Sequence, residues 1–263
     1  MNNKARIRTN GIAGLVFWDE RPGFDKTAVI APGLPYAPTV ETIAPLLTAT
    51  GYGVVQPQYH GSFDSDGSFT PIGCIQSLRD VESIIFSNAE LRDLRGDRQF
   101  AIGNSVDLIA AHSFGTYAAI GAILRGMDTK LAVMFSPMFE YGIRSFDVGL
   151  KVDLRKHVSH IAAALPLTFR MESESDWRHF FLEESEFHPR SVPARSERVK
   201  VLCVVGDSDP SIDVDRSRRY IESFARSYES SLEFLEYKIV KKGNHSIETL
   251  LTDEVKELIL SEI

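Results

Sequence analysis

Short apolar runs rich in β-branched residues alternate along the chain with longer segments of helical period, the pattern of βαβ units around a mostly parallel sheet. Arg6–Arg8 and Leu15–Trp18 flank Asn10-Gly11 and predict an antiparallel hairpin. Thr27–Ala31 and Tyr52–Gln56 are the next predicted strands. Between them lies a helix near 38–50 that Pro45 must start late or kink. Ile75, Leu78, Val81, Ile84 and Ile85 recur at helical spacing, which predicts a helix from about Ile72 to Ser87. A strand at Val106–Ala111, a helix over Phe114–Leu124 and a strand at Leu131–Phe135 follow.

The alternation breaks over 137–198, where two helical patterns near Asp153–Leu165 and Asp176–Phe187 occur without a buried strand. The expected arrangement is an α/β core of residues 1–136 and 199–263 with an inserted helical cap at 137–198. The second cap helix follows Ser173-Glu174-Ser175-Asp176, a capping sequence. It carries Trp177, Phe180 and Phe181 on one face. The rhythm then resumes with a strand at Val199–Val205, a helix over Val214–Tyr228, a strand at Leu232–Val240 and a last helix from Ser246 to about Leu260.

With 263 residues, 43% of them hydrophobic and 25% charged, the composition excludes disorder, collagen and coiled coil. At this mass roughly 70–75% of the unfolded surface is buried on folding, so the core needs no disulfide or metal staple. Acidic residues outnumber basic ones by 36 to 29 with no segregated basic stripe, so nucleic acid is not an expected partner. Lys4, Arg6 and Arg8 are not followed by the apolar run of a secretory signal, and no stretch is apolar enough to cross a membrane. Cys74 and Cys203, both in apolar segments, fit small buried hydrophobes in a reduced, cytoplasmic setting. His157 and His160 stand at i, i+3, but neither a cysteine nor an HExxH context accompanies them, so no metal site is expected.

The most informative stretch runs from Val106 through His112-Ser113-Phe114-Gly115 into the Ala118-Ala119 helix. A nucleophile on such a strand-to-helix bend needs small residues two positions before and after it, and Ala111 and Gly115 supply them. The N-terminus of the following helix aims its amides at the same point, so Phe114 offers a donor to an oxyanion. A serine hydroxyl needs a base within hydrogen-bond reach, and the base needs an acid to fix its tautomer. Near the expected ends of later strands stand Gly206-Asp207-Ser208-Asp209-Pro210 and Lys242-Gly243-Asn244-His245-Ser246. These are the loops where open α/β sheets build their sites.

In these segments the chain resembles the α/β-hydrolase family, whose elbow is written G-x-S-x-G; Ala111 takes the place of the first glycine. The Gly206–Pro210 turn is similar to the family's G-x-x-D-P turn, with Asp209 at the acid position and Asp207 as its competitor. The Lys242–Ser246 loop looks like the loop carrying its histidine. Ala31-Pro32-Gly33-Leu34 resembles the H-G-x oxyanion segment, with proline in place of the histidine. Gly51 to Phe69 looks like the V-x-x-P-D-Y-R-G-x-G-x-S-x-G segment, commonest in serine aminopeptidase-like and prolyl-oligopeptidase-like hydrolases; Gln58, His60 and Phe63 depart from it.

The resemblance implies a mostly parallel sheet with helices on both faces. It also implies a Ser113–Asp209–His245 triad, an oxyanion hole from the Leu34 and Phe114 amides, and no cofactor or metal. The expected function is hydrolysis of a carboxylic ester, thioester or amide of a small to medium apolar substrate, a small molecule or short peptide, through an acyl-enzyme on Ser113. An acyltransferase using the same triad, or a non-catalytic ligand-binding protein of the same fold, is the alternative. Tyr59, His112, Phe139, Trp177, Phe180 and Phe181 are expected to line the substrate pocket. Packing is the competing expectation for His60 and His112.

Overall fold

Asn10 and Gly11 both take left-handed backbone, at φ 50° and 81°, the geometry a tight two-residue hairpin needs to match strand twist. They join β1 (Asn3–Thr9) to β2 (Ile12–Trp18) in antiparallel register, Thr9 opposite Ile12 and Asn3 opposite Trp18. The computed structural model describes residues 3–19, 25–34, 42–87, 91–94, 99–100, 103–142, 146–154, 168–172, 174–182, 188–192 and 198–263.

The hairpin opens an eight-stranded sheet of order β1-β2-β4-β3-β7-β8-β9-β10. Its further members are β3 (Lys26–Ala31), β4 (Tyr52–Pro57), β7 (Val106–His112), β8 (Leu131–Phe135), β9 (Val199–Gly206) and β10 (Leu232–Val240). From β4 to β10 all neighbours are parallel, and β2 joins β4 antiparallel. The chain passes from β3 to β4 on one side and then to β7 on the other. The loops after β3 and β7 therefore diverge at the sheet's C-terminal edge and open a crevice there.

Side chains alternating along the strands feed two cores, one on each face of the sheet. Ile109 and Ala111 of β7 face α2 (Pro71–Phe86), α3 (Phe114–Leu124), α4 (Glu174–Leu182) and α5 (Val214–Ser227). Leu108 and Ala110 share the other core with α1 (Ala44–Ala49), α6 (Ile247–Leu250) and α7 (Asp253–Leu260). Among the described residues no helix is long and apolar enough to cross a membrane.

Several elements differ from the sequence reading. The last helix is two, because Thr252 leaves the helix in an extended conformation and its hydroxyl accepts from the Val255 amide as the cap of α7. Leu251 and Val255 keep helical spacing across the break, which hides it from a periodicity argument. β5 (Leu91–Arg92) and β6 (Gln99–Phe100) form a small antiparallel hairpin too short to leave a pattern. α1 starts at Ala44 with Pro45 in its first turn, the late start proline imposes.

Most of the Asp153–Leu165 helical pattern, with His157 and His160, lies outside the described residues, as do 183–187. Within the 137–198 segment, residues 168–170 pair with the core loop: Phe63 N donates to Thr168 O, Phe69 N to Arg170 O and Arg170 N to Gly61 O. α4 lays its aromatic face on α3, with Phe180 against Tyr117 at 4.7 Å between ring centroids.

Candidate active site

β7 runs straight into α3 through Ser113, which sits at φ 51° and ψ −121°. A serine holds such a conformation only where its surroundings over-determine it. The Ser113 amide donates to Phe135 O of β8 (2.9 Å), while its carbonyl accepts from the Thr116 amide (2.9 Å) and hydroxyl (2.6 Å). A Cβ at Gly115 would lie 2.1 Å from the Ala31 carbonyl oxygen, so only glycine lets α3 start this close to β3. Ala111, two residues before the serine, is fully buried and fits without clash.

The loops after β9 and β10 meet Ser113 from the other side of the crevice. His245 Nε2 lies 3.0 Å from Ser113 Oγ, and its Nδ1 lies 2.8 Å from Asp209 Oδ2. A carboxylate can only accept, so Nδ1 carries the proton and Nε2 is left free to take one from the hydroxyl. Asp209 is buried, and its Oδ1 accepts from the Ser211 (2.8 Å) and Ile212 (3.2 Å) amides. Burial pushes its pKa up, but hydrogen bonds from His245, Ser211 and Ser136 outweigh this and hold it below the ordinary carboxylate value. Asp207 is exposed, and its Oδ1 accepts from the Lys242 amide (2.7 Å) and the Ser208 hydroxyl (2.9 Å), bracing the loop that presents His245.

Ser113 and His245 open into a cavity of about 160 Å³. Leu34 and Phe114 line it beside them, where the first amides of α3 have no intrahelical acceptor. The rest of its wall is Met138, Tyr141, Val152, Leu154, Phe181 and Ser211. The arrangement can ionise a hydroxyl, hold developing negative charge and exclude bulk water from a small apolar chamber.

Of the six residues expected on the pocket wall, only Phe181 lies there. Tyr59 instead donates its hydroxyl to Pro32 O (2.8 Å) and sets its ring edge against Phe114, bracing the loop that carries Leu34. Phe139 packs on Phe224 of α5. Trp177 stacks on Phe69 and donates its indole N–H to Phe69 O (2.9 Å). Phe180 packs between Tyr117 and Tyr141 and stacks on His188. Helical spacing identifies a buried face but not which surface covers it, and here α3 covers most of it. Tyr141 is one of the aromatics of the 137–198 segment, whereas Met138 and Val152 stand in irregular stretches with no periodicity to mark them.

His112 does not line the cavity either. Its Nε2 donates to the His245 carbonyl (2.6 Å), which pins the histidine loop to the end of β7. His60 pairs with Asp80 (2.7 Å) on α2, a packing role. Burial, and then the charge of His245, push His112 down to a pKa of about 4. Its folded pKa is thus below its unfolded value of 6.5. Between the two the unfolded chain binds more protons, so this contribution is complete above about pH 6.5 and is lost as pH falls toward 4, about 3 kcal/mol in all. Urea midpoints of wild type and His112→Asn between pH 7 and 4.5 should therefore converge as pH falls. Parallel curves would contradict this.

The sheet order, the strained serine turn and the histidine and carboxylate loops at one edge define the class: the chain has the α/β-hydrolase fold. Its structure is similar to that of an alpha-beta serine hydrolase homologue from Coxiella burnetii, covering 99% of this chain and 97% of that one at 15% identity and TM-score 0.56. It is similar to the alpha/beta hydrolase GrgF from Penicillium sp. sh18, covering 99% and 96% at 12% identity and TM-score 0.62. It is also similar to epoxide hydrolase I of potato (Solanum tuberosum), covering 99% and 98% at 13% identity and TM-score 0.56. No protein-family model and no curated protein sequence matches the chain. The likenesses therefore speak for the fold, and the chemistry rests on the residues at the site. Among the described residues no group of three or more His, Cys, Asp or Glu could hold a metal ion.

Proposed function

We propose that the protein is a serine hydrolase that cleaves a carboxylic ester, thioester or amide through an acyl-enzyme on Ser113. The observation that carries this reading is the hydrogen-bonded series Ser113 Oγ, His245, Asp209, with 3.0 and 2.8 Å separations, opening into a cavity beside a helix N-terminus. His245 Nε2 takes the Ser113 proton as Oγ attacks the acyl carbon. The Leu34 and Phe114 amides hold the oxyanion, and Asp209 stabilises the imidazolium. His245 then gives the proton to the leaving group. In the second half a water loses its proton to His245, attacks the acyl-enzyme and frees the acid. The reaction so drawn uses only the chain's own groups.

Cavity size sets the substrate class within this reading. At about 30 Å³ for each water-sized unit, 160 Å³ holds roughly five non-hydrogen atoms. The acyl part is accordingly short and apolar, with Val152, Leu154 and Phe181 among the apolar residues that line the cavity. Along a series of p-nitrophenyl esters, kcat/KM should fall at least tenfold once the acyl group outgrows this space, as pocket walls discriminate by about that much per methylene. Val152→Ala, at a half-buried position, should move the fall to longer chains. A wild-type profile flat from acetate to decanoate, or an unmoved one in the variant, would overturn the assignment. Product analysis with and without an added alcohol or thiol acceptor separates hydrolysis, which yields free acid in both, from acyl transfer.

A further inference from the structure

Ser136, the residue after β8, is fully buried and holds φ at 47°. Its amide is fixed to the Val204 carbonyl of β9 (2.8 Å), and Pro137 follows it. A left-handed backbone at a residue other than glycine persists only where its surroundings impose it, and such outliers gather at functional sites. Here the unusual backbone aims the side chain at the acid of the relay. Ser136 Oγ donates to Asp209 Oδ2 (2.9 Å), the same oxygen that receives the His245 Nδ1 proton (2.8 Å). With the Ser211 and Ile212 amides on Oδ1, the carboxylate accepts four hydrogen bonds, two at each oxygen, and every acceptor direction is filled.

From this geometry we infer that Ser136 is a positioning residue of the relay, its hydroxyl holding the Asp209 carboxylate in register with His245 and sharing the charge of the common oxygen. It does not line the cavity, so it acts through Asp209. The backbone amides fix one carboxylate oxygen; among the described residues only the hydroxyl and the imidazole hold the other, which is the one the relay uses. Without the hydroxyl, Oδ2 keeps more charge for the imidazolium, so His245 becomes more basic, while the carboxylate gains freedom to rotate. The inference rests on the serine-hydrolase reading of the site.

The test compares wild type, Ser136→Ala and Ser136→Gly. Alanine removes the hydroxyl and keeps the strain; glycine removes both, and it carries the test if the alanine variant folds poorly. His245 is titrated by NMR of its ring nitrogens, and kcat and KM for p-nitrophenyl butyrate are measured across pH. The other groups facing the pair are His112 on the His245 carbonyl, Lys151 with its ammonium on the Asp209 carbonyl (3.0 Å), and Tyr237 on β10. None of them changes.

Both variants should raise the His245 midpoint, carrying the acid limb of kcat/KM with it. They should lower kcat roughly 10- to 100-fold, the worth of a hydrogen bond to a charged acceptor, with KM within about twofold of wild type. A residue that only shaped the backbone would lower the melting temperature in the alanine variant, recover it in glycine, and leave the titration alone. An unmoved His245 midpoint in the folded glycine variant overturns the inference. The NMR titration needs no turnover. An unreactive Ser113 would thus remove the hydrolase reading while the coupling of Ser136 to His245 is still decided.

Discussion

Ser113→Ala should give a folded protein whose turnover of an activated ester is lower by about 10⁵- to 10⁶-fold, because in the proposed reaction this residue supplies the atom that bonds to the substrate. The oxyanion amides, the histidine and the cavity remain, so binding should change little and the loss should fall on kcat. Stability should be nearly unaffected. The hydroxyl makes one hydrogen bond to His245 and a weak 3.5 Å contact to Met138 Sδ, while the strained turn is held by its backbone bonds to Phe135 and Thr116. Spectrophotometric assay of p-nitrophenyl butyrate with a matching thermal melt checks both halves. Activity within tenfold of wild type in a folded variant would show that another group performs the attack.

The second large effect separates two aspartates two residues apart. Asp209→Asn should cost on the order of 10⁴ in kcat, because an amide in place of the carboxylate donates to Nδ1 and forces the tautomer in which Nε2 carries the proton and cannot accept the serine's. Asp207→Asn should cost less than about tenfold, since its remaining amide oxygen can still accept from Lys242 N. The same ester assay, run on both variants with folding verified by circular dichroism, gives the ranking. The reverse order would move the acid to Asp207.

The parts of this site that are legible in the chain are those whose backbone geometry demands particular residues. The bend at Ser113 requires Gly115, and the turn after β9 requires a small residue and a short acid, so both leave marks that a motif can capture. The parallel strands are legible for a related reason: buried on both faces, they are continuous apolar runs such as Leu108–Ala111 and Val201–Val205. What is hidden depends on neighbours distant in sequence. Ser136 gains its partner only because β8 ends beside β9, and nothing around Phe135-Ser136-Pro137 announces a hydroxyl aimed at a carboxylate 73 residues on.

The aromatic face of α4 is visible as a buried face, yet Trp177 and Phe180 are core while Phe181 reaches the cavity, a division that depends on how α4 lies over α3. His112 shows the same limit. Its place beside Ser113 suggests a pocket residue, and its actual partner is the carbonyl of His245, 133 residues away.

Activation of Ser113 by His245 is tested most directly by a fluorophosphonate probe. The probe reacts only with a serine whose hydroxyl is being deprotonated. Intact-mass analysis should show one adduct per chain, peptide mapping should place it on Ser113, and His245→Ala should abolish it. Stoichiometric modification of another serine, or equal labelling of the His245→Ala protein, would contradict the account.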